Sequence, residues 1–138
     1  MDAKRNVLNR IPPGLLTGLT ICAILWLTLA PDPLPDNDIP MFEGMDKVVH
    51  ACMFGGLYFM MALDRVIVRS RKGIAAPHAV GVMWWGALFC VAFGGAVELI
   101  QGAMAMGRGC DLWDFVADTV GVALSVALTP PVLKWLLK

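Results

Sequence analysis

Four long apolar runs, at about 13–30, 47–67, 80–104 and 112–136, take up most of this 138-residue chain. A helix crossing ~30 Å of hydrocarbon at 1.5 Å per residue needs ~20 mostly apolar residues. The runs meet or approach that length, so the chain reads as all-α: a four-transmembrane-helix bundle, one domain over 1–138. Composition agrees. Hydrophobic residues make up 58% and the mean hydropathy is +0.69, where a soluble domain is about 45–50% apolar.

The connectors differ in kind. Residues 31–45, PDPLPDNDIPMFEGM, are rich in proline and acid, and Pro31, Pro33 and Pro35 cannot continue a helix. Residues 68–79 are basic, and 105–111, AMGRGCD, form a glycine-rich turn. The basic start of the first run raises the question of a cleaved signal. Leu19-Thr20-Ile21-Cys22 faintly matches a lipoprotein cleavage box, but Ile21 stands where a small residue is required. The apolar run also continues through Ala30. A retained helix is the expectation.

Orientation follows from lysine and arginine bias. Lys4, Arg5 and Arg10 precede the first run. Arg65, Arg69, Arg71 and Lys72 lie between the second and third, and Lys134 and Lys138 close the chain. An even number of spans places these groups on one side, leaving only Lys47 and Arg108 opposite. The expected location is the cytoplasmic (inner) membrane, with both termini cytoplasmic. Net charge is zero, which argues for no nucleic-acid partner. Trp84, Trp85, Trp113 and Trp135 fall near span ends and read as interfacial anchors. The four cysteines form no CxxC pair and no zinc spacing. Cys52 and Cys110 fall near the same face, which leaves a bridge between them open.

Ionisable groups within spans are costly and are functional candidates by default. Here they gather at the non-cytoplasmic ends of spans two, three and four. Asp46 and His50 are four apart on one helix face, where a carboxylate fixes the tautomer of an imidazole. Capping by Asp46 and a packing bond from His50 is the plainer alternative. Glu98 and Gln101 share a face with Gly94, Val91 and Ala87, whose small members let a neighbouring backbone approach. Interhelical glue is the alternative reading of Glu98. Asp111, Asp114 and Asp118 form one stripe at i, i+3 and i+7. The first two suit a helix N-terminus, whereas Asp118 is too deep for capping and needs a partner. Arg108, flanked by glycines, can bridge the aspartates or grip a phosphate.

This order of residues resembles the VanZ-like family: Asp46-Lys47-xx-His50, then Glu98-xx-Gln101, then Arg108, Asp111 and Asp114. The likeness covers about 46–125. It implies a membrane protein of the kind associated with teicoplanin resistance and specifies no reaction. This chain departs from the family at Ala51, where an aromatic is common, and at Asp118, where an asparagine is common.

The leading reading is a polar site in the outer leaflet that binds or modifies an amphiphile, a membrane lipid or lipid-linked envelope precursor. Lys47 and Arg108 would hold an anionic headgroup, with Gln101, Asp111, Asp114 and Asp118 lining the site. His50 and Glu98 would act as acid or base, with Asp46 beside them. No cofactor and no bound metal are expected, although His50 and the carboxylates are ligand types that permit a divalent ion. The rivals are a structural or accessory subunit and a transporter. The transporter is weakened by a cytoplasmic half whose only charged pair is Asp64-Arg65 at a helix end.

Reporter fusions after residue 40 and at residue 138 are expected to report opposite sides of the membrane. A cytoplasmic report at residue 40 would overturn the orientation.

Overall fold

The computed structural model describes residues 10–30, 42–74, 80–104 and 110–137. They form four helices: α1 (Leu15–Leu29), α2 (Met45–Arg71), α3 (Trp84–Met104) and α4 (Leu112–Leu136). No strand occurs among the described residues. The all-α, four-helix expectation holds, and α2, α3 and α4 are each long and apolar enough to cross a membrane. The proline-rich segment 31–41 lies outside the described residues.

The first helix is shorter than its apolar run. It has 15 residues, which is ~22 Å at the α-helical rise. Both ends have a local cause. Gly14, at φ 78°, precedes the first helical residue. At the other end Ala30 is extended, with ψ 139°, as expected for a residue followed by proline.

Other helices supply what the ends of α1 lack. Helix termini leave backbone groups without intrahelical partners, and Gly14 offers no capping side chain. Asp64 of α2 takes that role. Its Oδ2 accepts from the Thr17 backbone N–H at 2.9 Å and from Thr17 Oγ1 at 2.7 Å. At the far end, Gln101 of α3 donates from Nε2 to the Thr28 carbonyl at 2.8 Å. Tyr58 does the same for the start of α3, accepting from the Met83 N–H at 3.0 Å. These contacts set the directions. The start of α1 meets the later part of α2, and the end of α1 meets the end of α3. Lys47 at the start of α2 reaches Asp111 and Asp114 at the start of α4. The bundle therefore runs up-down-up-down, with one basic end and one acidic end.

Apolar side chains cover the outside as well as filling the core, unlike in a water-soluble bundle. Leu88, Leu99, Leu124 and Leu128 are each more than half exposed, whereas Glu98 and Asp118 are 2% and 0% exposed. Apolar side chains facing outward suit lipid, and carboxylates facing inward suit a site. The tryptophans sit in two groups. Trp84, Trp85 and Trp135 are exposed at the basic end, and Trp26 and Trp113 at the acidic end, as in interfacial belts.

The tightest packing is between α2 and α4. A Cβ added at Gly121 would lie 2.1 Å from the Ala51 carbonyl oxygen, and one at Gly55 would lie 2.8 Å from the Gly121 carbonyl oxygen. The two backbones touch, with small residues on both sides of the seam, as in other membrane helix pairs. Because His50 precedes Ala51 and Asp118 sits one turn before Gly121, this contact also brings those two side chains together.

Gly121→Val forces the seam apart and is expected to destabilise the protein by about 1–3 kcal/mol, the usual scale for overpacking. Gly56→Ala, where an added Cβ meets nothing within 4 Å, is the control and should be neutral or slightly stabilising. Thermal unfolding in detergent decides. Equal midpoints for the two variants would mean that the seam is not tight.

Candidate functional site

Three helices build the acidic end in two tiers. The upper tier centres on Lys47, in the first turn of α2. Its ammonium lies 2.9 Å from Asp46 Oδ2, 3.2 Å from Asp111 Oδ2 and 3.1 Å from Asp114 Oδ1. Asp111 is the N-cap of α4. Its side chain accepts from the Trp113 N–H at 2.8 Å, the capping role its position suggested. Its carboxyl is held below the ordinary carboxylate range, first by that N–H and then by the Lys47 ammonium.

The lower tier is closed to solvent. His50 of α2, Glu98 of α3 and Asp118 of α4 meet there, at 9%, 2% and 0% exposure. His50 Nδ1 lies 3.0 Å from Asp118 Oδ1 and 3.8 Å from Glu98 Oε1. Two residues join the tiers. Asp114 faces Lys47 through Oδ1, and its Oδ2 lies 3.8 Å from His50 Nε2. Glu98 Oε2 accepts from the Asp111 backbone N–H at 3.1 Å. Gly94 makes room for this tier, since a Cβ there would lie 2.9 Å from Asp118 Oδ2.

Two buried oxygens in the lower tier, Glu98 Oε1 and Asp118 Oδ2, have no hydrogen-bond partner among the described residues. A buried unpaired polar atom costs about 1–3 kcal/mol, more when charged. Such an atom calls for an explanation, such as a bound ion, a water or a reaction; Asp64 Oδ1 and Arg69 Nε, away from this tier, are buried and unpaired too.

The structure therefore brings together Asp46, Lys47, His50, Glu98, Asp111, Asp114 and Asp118. Arg108 lies outside the described residues. Gln101 is nearby but spends its amide on the Thr28 carbonyl, so it ties α3 to α1.

Two sequence expectations change. The imidazole is held by Asp118, not by Asp46, because the Ala51–Gly121 contact carries Asp118 to Nδ1 while Asp46 stays at the exposed helix start with Lys47. Lys47 is also not free to meet an anion, because three carboxylates already share it. Cys52 and Cys110 are free thiols, so no bridge joins them. Asp64, noted in the sequence only as part of an end-of-helix pair, is a buried cross-helix cap. Nothing in its local sequence distinguishes it from a surface carboxylate.

Fold and site together define a helical membrane protein with a buried ionisable cluster at one end. Comparison with protein families, with curated proteins and with solved structures returned no match for the chain.

The lowered pKa of Asp111 has a sign that can be tested. A carboxyl depressed in the folded state contributes stability above its unfolded value of about 4, and that contribution is lost as the pH falls through the folded value. Asn also caps well, so Asp111→Asn removes the charge and keeps the cap. The variant should unfold at a lower temperature than the parent at pH 7, with the gap closing toward pH 3. A gap independent of pH would assign the loss to something other than this charge.

Proposed function

We propose that this chain is a VanZ-like protein of the cytoplasmic membrane, with both termini cytoplasmic, whose acidic end binds or modifies an amphiphilic cell-envelope ligand. The observation that carries this reading is the buried meeting of His50, Glu98 and Asp118, with two carboxylate oxygens left without partners. Holding helices together does not require a carboxylate, since a glutamine or serine would do so at lower cost, yet Glu98 and Asp118 are carboxylates that each leave one buried oxygen unpaired. The VanZ-like order of motif residues points the same way, as does the basic-residue bias, which puts the site on the non-cytoplasmic side where headgroups and envelope precursors lie.

The charge of the site narrows the ligand. Five carboxylates, Asp46, Glu98, Asp111, Asp114 and Asp118, face one lysine and one imidazole. A headgroup carrying an amine complements such a surface better than a simple anion. An open apolar groove of about 510 Å³ runs beside the site between α2 and α4, lined by Val48, Cys52, Gly55, Phe59, Leu124 and Leu128. It begins one residue beyond Lys47, so an acyl chain laid in it brings its headgroup to the upper tier. In a modification reaction His50 would move the proton, with Asp118 fixing its ring.

One set of contacts favours a structural or accessory role instead. The Lys47 ion pairs join α2 to α4, Glu98 accepts from the N-cap of α4, and Gln101 ties α3 to α1.

Glu98→Gln separates the two readings, because it keeps shape and hydrogen bonding while removing the charge. Under the site reading, the variant inserts and unfolds at a midpoint close to the parent's. It nevertheless fails to restore the envelope phenotype, and the lipid profile, of a host strain lacking the protein. A stable Glu98→Gln protein with full complementation would establish the structural role.

A further inference from the structure

The two tiers hold similar carboxylate groupings with different occupants. In the upper tier Asp46, Asp111 and Asp114 gather round the Lys47 ammonium. In the lower tier one ligand atom from each of His50, Glu98 and Asp118 lies within 4.8 Å of the others, and no lysine or arginine enters among the described residues. An imidazole, even when protonated, offsets only one of two carboxylate charges. Unless that carboxyl is protonated, the second charge is left inside a protein that faces lipid, where an uncompensated charge is costly.

We propose that His50, Glu98 and Asp118 bind one divalent transition-metal ion of the zinc or manganese class. The spacing suits it. Ligand atoms ~2.0–2.2 Å from an ion stand roughly 3.0–3.5 Å from one another, and His50 Nδ1 lies 3.0 Å from Asp118 Oδ1 and 3.8 Å from Glu98 Oε1. Replacing the Nδ1–Oδ1 hydrogen bond with an ion requires only small side-chain shifts. Glu98 and Asp118 each keep one buried oxygen without a hydrogen-bond partner among the described residues. Donor type sets the metal class: one imidazole and two carboxylates suit zinc or manganese, whereas calcium takes six to eight oxygens.

The outer atoms of the ligands are also arranged as in metal sites. A ligating histidine ordinarily directs its second nitrogen at a carboxylate, and ligating carboxylates are themselves hydrogen-bonded. Here His50 Nε2 faces Asp114 Oδ2 at 3.8 Å, and Glu98 Oε2 accepts from the Asp111 N–H. Three protein ligands leave a coordination position for water or a ligand oxygen. An ion is small enough for a site whose ligands are between 0% and 9% exposed, which a headgroup is not. This inference does not depend on the amphiphile reading. It is decided by metal binding, and that reading is decided by the envelope phenotype.

The full chain, purified in detergent and stripped with a chelator, is titrated with zinc or manganese, followed by metal analysis after desalting, thermal unfolding and manganese electron paramagnetic resonance. Magnesium serves as the control ion. The expected result is about one zinc or manganese ion per chain, a raised unfolding midpoint, and affinity weakened about ten-fold or more in His50→Gln and Asp118→Asn. Glu43→Gln, at an exposed carboxylate outside both tiers, should bind as the parent does. Should the lower-tier variants fail to fold, X-ray absorption on the zinc-loaded parent decides, with one imidazole and otherwise oxygen ligands expected. A parent that retains no ion, binding that survives in folded His50→Gln and Asp118→Asn, or a zinc spectrum with sulfur or without imidazole would each overturn the proposal.

Discussion

The site depends on one backbone contact. Where α2 and α4 cross, Gly121 lies against Ala51 and Gly55 closely enough that no Cβ fits at Gly121. Side chains one turn away are then forced within reach of each other, and His50 meets Asp118 at 3.0 Å. In lipid there is no hydrophobic driving force between helices. Close packing of small residues and interhelical polar bonds must hold the bundle together instead. The seam supplies the first and the site supplies the second, so position and stability share one cause.

The same economy governs α1. It is too short to carry its ends out to water at both sides, so its terminal backbone groups need partners within the protein. Asp64 and Gln101 provide them from two different helices. This explains two polar residues that the motif pattern alone would assign to chemistry or to a surface.

The acidic end divides by burial into regions with different capacities. The upper tier is half-exposed and its three carboxylates share Lys47, which makes it a latch between α2 and α4 and an entrance. The lower tier is enclosed and holds two unpartnered oxygens, Glu98 Oε1 and Asp118 Oδ2. Asp114 and Glu98 connect the tiers, each using one oxygen above and one below. A change of ligand or charge in one tier therefore reaches the other through two carboxylates.

The all-α class, the four helices and the clustering of ionisable residues at one end were legible from sequence, although only three of the four expected spans reach membrane length. Each follows from local rules: apolar run length, helix periodicity and the cost of charge in hydrocarbon. The capping role of Asp111 was legible for the same reason, as was the need of Asp118 for a partner. The identity of that partner was not legible. Along α2, Asp46 is the residue one turn from His50, and helix spacing favours that pair. Asp118 takes the imidazole because of how closely α4 approaches α2, a distance set by backbones in contact and not by spacing along either chain. The engagement of Lys47 by three carboxylates and the two borrowed caps of α1 are likewise relations between helices. Sequence determines which groups each helix presents at which height, and only packing decides which of them face one another.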